Sequence, residues 1–131
     1  MKIDFFLPIL PPSTNNLYAV KRNGQRYKKD TVLDFEKIAY LMLPKRPMME
    51  EHCRAVIEFR CNDRRTWSRR DIDNMLKALL DSMQLVKMLK NDSLILEIRT
   101  KKILSTREST SGYLESVDNK NYNELITSGK D

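Results

Sequence analysis

From Ile72 the apolar residues return at Met75, Leu76, Leu79, Leu80, Met83 and Val86, the i, i+3, i+4, i+7 recurrence of a helix with one buried face. No other stretch restricts the fold as much. A helix of this kind, expected to run to about Met88, needs an apolar layer to lie on. Its opposite face carries Asp73, Lys77, Asp81 and Gln84, each three or four positions from the next, so they share one side. Asp71 stands at the helix start, where a carboxylate can accept from free backbone N–H groups.

Strands supply the layer. Lys2–Leu7 sets Ile3, Phe5 and Leu7 against Lys2, Asp4 and Phe6, and Pro8, Pro11 and Pro12 stop it because proline cannot donate to a ladder. Residues 18–28 hold an Asn23-Gly24 turn between basic arms, the short-range hairpin signal. A helix capped by Asp30 or Thr31 is expected to run to about Leu43, with Val32, Phe35, Ile38, Ala39 and Met42 on one side and Pro44 and Pro47 beyond its end. Cys53–Cys61 alternates Cys53, Ala55, Ile57, Phe59 and Cys61 against Arg54, Glu58 and Arg60, with Val56 breaking the pattern. Residues 62–70 are expected to be a loop. A strand over 93–103 would turn Leu94, Leu96 and Ile98 to one side and Ile95 and Glu97 to the other. Residues 112–117 make a short last strand. Residues 118–131 are polar without an apolar period and are expected to form a frayed tail. This order gives one α+β domain over residues 1–117, a mixed β-sheet packed by two helices.

The polar residues point to a phosphate-bearing partner. Net charge is +6 with a pI near 9.4, which favours a polyanion. Much of the charge is clustered: Arg64, Arg65, Arg69 and Arg70 precede the acidic helix, and Lys21, Arg22, Arg26, Lys28 and Lys29 line the hairpin. The polar turn containing Asn16 can bond backbone or phosphate. Trp67, set among the arginines, can stack on an unpaired base or wedge into a branch point; the competing reading is a hydrophobic cap over the core. Asp71 and Asp73 converge at one helix mouth with Lys77 a turn along, and two or three carboxylates suffice for a hard cation such as Mg²⁺. The competing reading there is a solvated helix face with ion pairs, weakened by the neighbouring positive charge and by a third acid, Asp92. Cys53 and Cys61, roughly 25 Å apart along one strand, cannot pair. His52 reads as a surface residue, and no Ser/His/Asp arrangement is present. With no long apolar run and no charged-then-apolar signal pattern at the start, the expectation is a cytoplasmic protein without a membrane partner.

Taken together, several stretches resemble the RusA family of Holliday junction resolvases. They are LPILPPSTNNLY at 7–18, RRDIDNMLK at 69–77, ALLD at 78–81, Asn91-Asp92, and a strand running to Lys101 and Lys102. The resemblance spans about residues 3–117. It implies a RusA-like homodimer, an endonuclease that depends on Mg²⁺ (with Mn²⁺ able to substitute) and cuts four-way DNA junctions in recombination and repair. By position Asp71, Asp73 and Asp92 correspond to its metal-binding, catalytic carboxylates and Lys77 to its essential lysine. Asn16, Arg26, Arg64, Arg65, Trp67, Arg69, Arg70 and Lys102 are the expected DNA contacts. The chain has Asn91-Asp92 where the family often has paired acids. If the first acid is a ligand, Asn91 offers a neutral oxygen instead; if only the second is, nothing is lost. Two rival readings stand beside this one: a non-catalytic DNA-binding module, and a sugar-nucleotide transferase using the D-x-D for a metal–diphosphate. The chain has no helix-turn-helix pattern for the first and no Gly-rich nucleotide turn for the second.

Overall fold

The computed structural model describes residues 1–13 and 18–118. The elements run β1 (Lys2–Leu7), β2 (Tyr18–Val20), β3 (Arg26–Lys28), α1 (Asp30–Met42), β4 (Cys53–Cys61), α2 (Arg64–Arg69), α3 (Ile72–Leu85), β5 (Ile95–Leu104) and β6 (Ser109–Ser116). β1, β6, β4 and β5 form the main sheet in that spatial order, β2 and β3 the separate hairpin. β6 is antiparallel to both β1 and β4, whereas β4 and β5 are parallel. Parallel neighbours need a long crossover, and that crossover holds α2 and α3. The fold is thus α+β with a mixed sheet, as expected.

The helices cover one face of this sheet. Ile3, Phe5 and Leu7 from β1, the alternating residues of β4 and Leu114 from β6 meet Phe35 and Ala39 of α1 and Met75, Leu79 and Met83 of α3 in one core. Gly112 sits between Phe5 and Ile57 in the ladder. A Cβ there would lie 1.9 Å from the Val56 carbonyl oxygen, so only glycine lets the strands approach. The other sheet face is open and lined by charge. In one row Lys2, Glu115, Arg54 and Glu97 lie side by side across all four strands, with Arg54 Nε 3.0 Å from Glu97 and Arg99 Nε 2.7 Å from it. The two arginines hold the Glu97 carboxyl below its ordinary range. Among the described residues no helix is long and apolar enough to cross a membrane.

Five details differ from the sequence expectation. The segment at 62–70 is not a loop: Asp63 accepts from the Thr66 N–H at 2.7 Å and from its hydroxyl at 2.8 Å, capping α2 and giving three α-helices among the described residues where two were expected. Lys29, not Asp30 or Thr31, is the N-cap of α1, and it makes no side-chain capping bond. Asp30 lies in the first turn, where its charge meets the positive end of the helix dipole. α3 stops at Leu85 because Lys87 takes a left-handed φ of 64°. The Met88 and Lys87 N–H groups then bond back to Met83 and Gln84, the Schellman closure. β5 pairs Ile95 with Cys53 but Glu97 with Arg54, skipping Leu96. This irregularity sends both Ile95 and Ile98 to the helix side, so the expected split between them fails. β6 also begins earlier than expected, at Ser109.

Candidate active site

The acidic corner begins where α2 gives way to α3. Arg70 and Asp71 are extended, which turns the chain between the two helices. Asp71 caps α3: its Oδ1 accepts from the Asp73 N–H at 2.9 Å and its Oδ2 from the Asn74 amide at 3.4 Å. The proline-rich segment after β1 is the buttress. Arg70 donates to the Pro11 carbonyl at 2.8 Å and Asn74 to the Ser13 carbonyl at 3.1 Å, while Pro11 and Pro12 are buried. A third strut comes from β5. The Lys102 ammonium donates to the Trp67 and Arg70 carbonyls at 2.6 and 2.8 Å, and the Trp67 indole N–H returns a bond to the Lys102 carbonyl at 3.2 Å.

These bonds engage three of the expected DNA contacts, Trp67, Arg70 and Lys102, within the chain. Trp67 is half-buried against the core, the capping arrangement and not that of an exposed stacking ring. Lys102 and Arg70 are tied to backbone carbonyls and work as braces in this structure. Arg64, Arg65 and Arg69 are exposed and, with Arg26 exposed on β3, remain at the surface. Arg65, Arg69 and Arg70 line a recess of about 230 Å³ with Ser13 and Thr66. Asn16 lies outside the described residues, as do residues 119–131, most of the expected tail.

Along α3 the chemistry continues on one face. Asp73 and Lys77 are exposed, and their side chains make no hydrogen bond or ion pair with any described residue. Asp81 follows one turn on. Partial burial pushes its carboxyl pKa up, Lys77 works against the rise, and Asp92 and Glu36 add to it. Asp92 opens a single 3₁₀ turn, Asp92–Leu94, whose cap is Asn91: its Oδ1 accepts from the Ser93 N–H at 2.8 Å. Asn91 is thereby occupied as a cap, a task an amide performs without adding charge. The Asp92 N–H donates to Gln84 Oε1 at 3.0 Å.

Among the described residues no three acidic, histidine or cysteine side chains come together closely enough to hold a metal ion, so Asp71, Asp73 and Asp92 do not form a ready-made triad. The donors themselves suit a hard cation: exposed carboxylates, each oxygen of Asp71 keeping a lone pair beyond its capping bond. Mg²⁺ in particular needs only one or two carboxylates, with water and a substrate phosphate completing its shell. The sequence pattern left Gln84 without a role, whereas Lys102, expected as a DNA contact, is bonded to the Trp67 and Arg70 carbonyls. Gln84 was visible on the polar face of α3, but nothing in the spacing marks its partner.

Unengaged carboxylates and a lysine on one helix, flanked by exposed arginines, are the makeup of an enzyme that hydrolyses phosphodiesters, a nuclease. The comparisons give the particular family. Residues 8–111 match the family described as "Endodeoxyribonuclease RusA", and the chain belongs to it. A curated relative, the crossover junction endodeoxyribonuclease RusA of Aquifex aeolicus (strain VF5), is 34% identical over 111 residues, which cover 82% of this chain and 86% of that one.

Proposed function

We propose that this protein is a structure-selective DNA endonuclease that resolves four-way junctions by paired symmetric nicks in recombination and repair, acting in the cytoplasm. The observation that carries the reading is the free acid–lysine face of α3 beside exposed arginines, in a chain of the RusA family. Asp71 and Asp73 would hold a divalent cation, Mg²⁺ or in its place Mn²⁺, with Asp92 as the third carboxylate of the site. When bound, such a cation supplies Lewis-acid chemistry and favours deprotonation of water.

The chain's own residues do the rest. Lys77, one turn from Asp73, places an ammonium where negative charge grows on the scissile phosphate. Arg64, Arg65, Arg69 and Arg26 neutralise backbone phosphates and set the register of the DNA without reading its sequence. Arg70, Trp67 and Lys102 keep the corner beneath them in shape. Cutting two strands symmetrically takes two such sites, hence a homodimer with two-fold symmetry.

The test is a synthetic four-way junction incubated with the protein and Mg²⁺, beside linear duplex of the same sequences. Paired nicks confined to the junction support the reading. Retarded but intact junction would favour the non-catalytic module, and no binding the transferase. Sedimentation on and off DNA checks the dimer, and a strict monomer in both states would leave paired cutting unexplained.

A further inference from the structure

We infer that Gln84 is a positioning residue for Asp92, tying the turn that carries this carboxylate onto the acidic face of α3. The inference rests on the nuclease reading above and names a residue outside its acid–lysine set. Helical spacing alone puts Asp73, Lys77 and Asp81 on one side, but Asp92 lies beyond the helix. The chain has already turned away at Lys87, with its left-handed φ. Gln84, three residues after Asp81 on that same side, crosses the gap. Its Oε1 accepts from the Asp92 N–H at 3.0 Å while its Nε2 donates to the Leu80 carbonyl at 3.1 Å. The second bond fixes which way the amide points, since only the nitrogen can donate to a carbonyl and only the oxygen can accept from an N–H.

The turn is held from its other side as well. The Lys90 N–H donates to the Met49 carbonyl at 3.0 Å, and the Leu94 N–H to Asn91 at 3.1 Å. Asn91 closes the turn through its side chain. Asp92 is thus fixed by its backbone, and its carboxylate is left without a hydrogen bond to any described residue. It is also near enough to Asp81 for the two charges to be felt together. A residue that spends both ends of its amide on holding another residue's backbone touches no reacting atom itself. Such outer partners commonly change activity or metal affinity by about 10- to 100-fold when removed.

Gln84→Met keeps the length of the side chain and loses the acceptor; Gln84→Glu keeps an acceptor oxygen at the same reach. Three quantities are measured on the full chain: exchange of the Asp92 amide hydrogen, single-turnover cleavage of a four-way junction with Mg²⁺ and all DNA bound, and junction affinity without divalent cation. The expected result for Gln84→Met is faster exchange at Asp92, cleavage lowered about 10- to 100-fold, and unchanged affinity. Gln84→Glu, which keeps the acceptor but loses the bond to the Leu80 carbonyl and adds a charge, restores protection at Asp92 in part. Unchanged exchange at Asp92 in Gln84→Met overturns the tether. Faster exchange with a parental cleavage rate overturns its role in positioning. If the parent protein itself leaves junctions uncut, the nuclease reading and this positioning role fall together, whereas loss of rate in Gln84→Met alone leaves the reading standing.

Discussion

Replacing Lys102 by methionine separates a brace from a DNA contact. Methionine keeps most of the apolar stem and removes the ammonium, so the Trp67 and Arg70 carbonyls, now bound at 2.6 and 2.8 Å, lose their donor. A hydrogen bond from a charged group contributes about 1.5–3 kcal/mol when buried, and Lys102 is only half-buried, so the pair is worth about 2–3 kcal/mol. For a domain of this size that corresponds to a fall in Tm of about 10 °C. The Arg70–Asp71 corner also loosens, and cleavage falls with it. Thermal melting is measured beside junction affinity across a salt series. A brace predicts a lower Tm and an unchanged salt slope. A phosphate contact predicts the reverse, an unchanged Tm and a slope smaller by about one counterion. Parental melting together with a reduced slope would refute the bracing role.

Other substitutions report on the site and on the fold. Asp73→Asn removes a carboxylate that both holds cation and repels phosphate, so cleavage should fall by orders of magnitude while junction binding is kept or tightened; near-normal cleavage by the purified variant removes Asp73 from the site. Lys77→Ala should lower single-turnover cleavage about 100- to 1,000-fold at nearly unchanged affinity, with Lys77→Arg also impaired because reach and geometry change; a parental rate for the alanine variant would take Lys77 off the catalytic list. Lys87→Gly should raise stability by about 0.5–1 kcal/mol, because the left-handed φ that penalises lysine is open to glycine, and chemical denaturation reads the gain. Glu97→Gln should lower Tm at neutral pH. The folded-state pKa of Glu97 is depressed, so its contribution is present above the unfolded value and lost as pH falls through the folded one. The melting difference from the parent should therefore shrink in acid, and a difference that is constant with pH would contradict the assignment.

Periodicity made much of this fold legible. β4 and α3 show their buried faces in the order of their residues, and the Asn23-Gly24 turn marks the hairpin. What escaped had no periodic trace. α2 carries too few apolar residues to show a stripe and depends on the Asp63 cap. The end of α3 is hidden because lysine occupies the left-handed position where glycine would have signalled it. The skipped Leu96 in β5 cannot be seen without its partner strand. The placement of Asp71 at the start of α3, and of Asp73 and Lys77 exposed along it, was legible because their spacing is local. Lys102 was read by its charge alone, yet its task depends on where α2 ends, more than thirty residues earlier in the chain. Gln84 was passed over for the same reason: its partner is set by a turn, not by a helix.

The strand order carries a consequence for how such an enzyme comes into being. β6, the last described strand, lies inside the sheet between β1 and β4, and the parallel pair β4–β5 closes only after the crossover has been laid down. Contacts between segments so far apart in sequence form late, because loop closure must precede them. A chain emerging from the ribosome could display the acidic helix long before β1 had anything to pair with. Its Lys102 brace would wait for β5, and its sheet for β6. The sheet beneath the acidic corner is therefore complete only once β6, the last described strand, has paired with both β1 and β4.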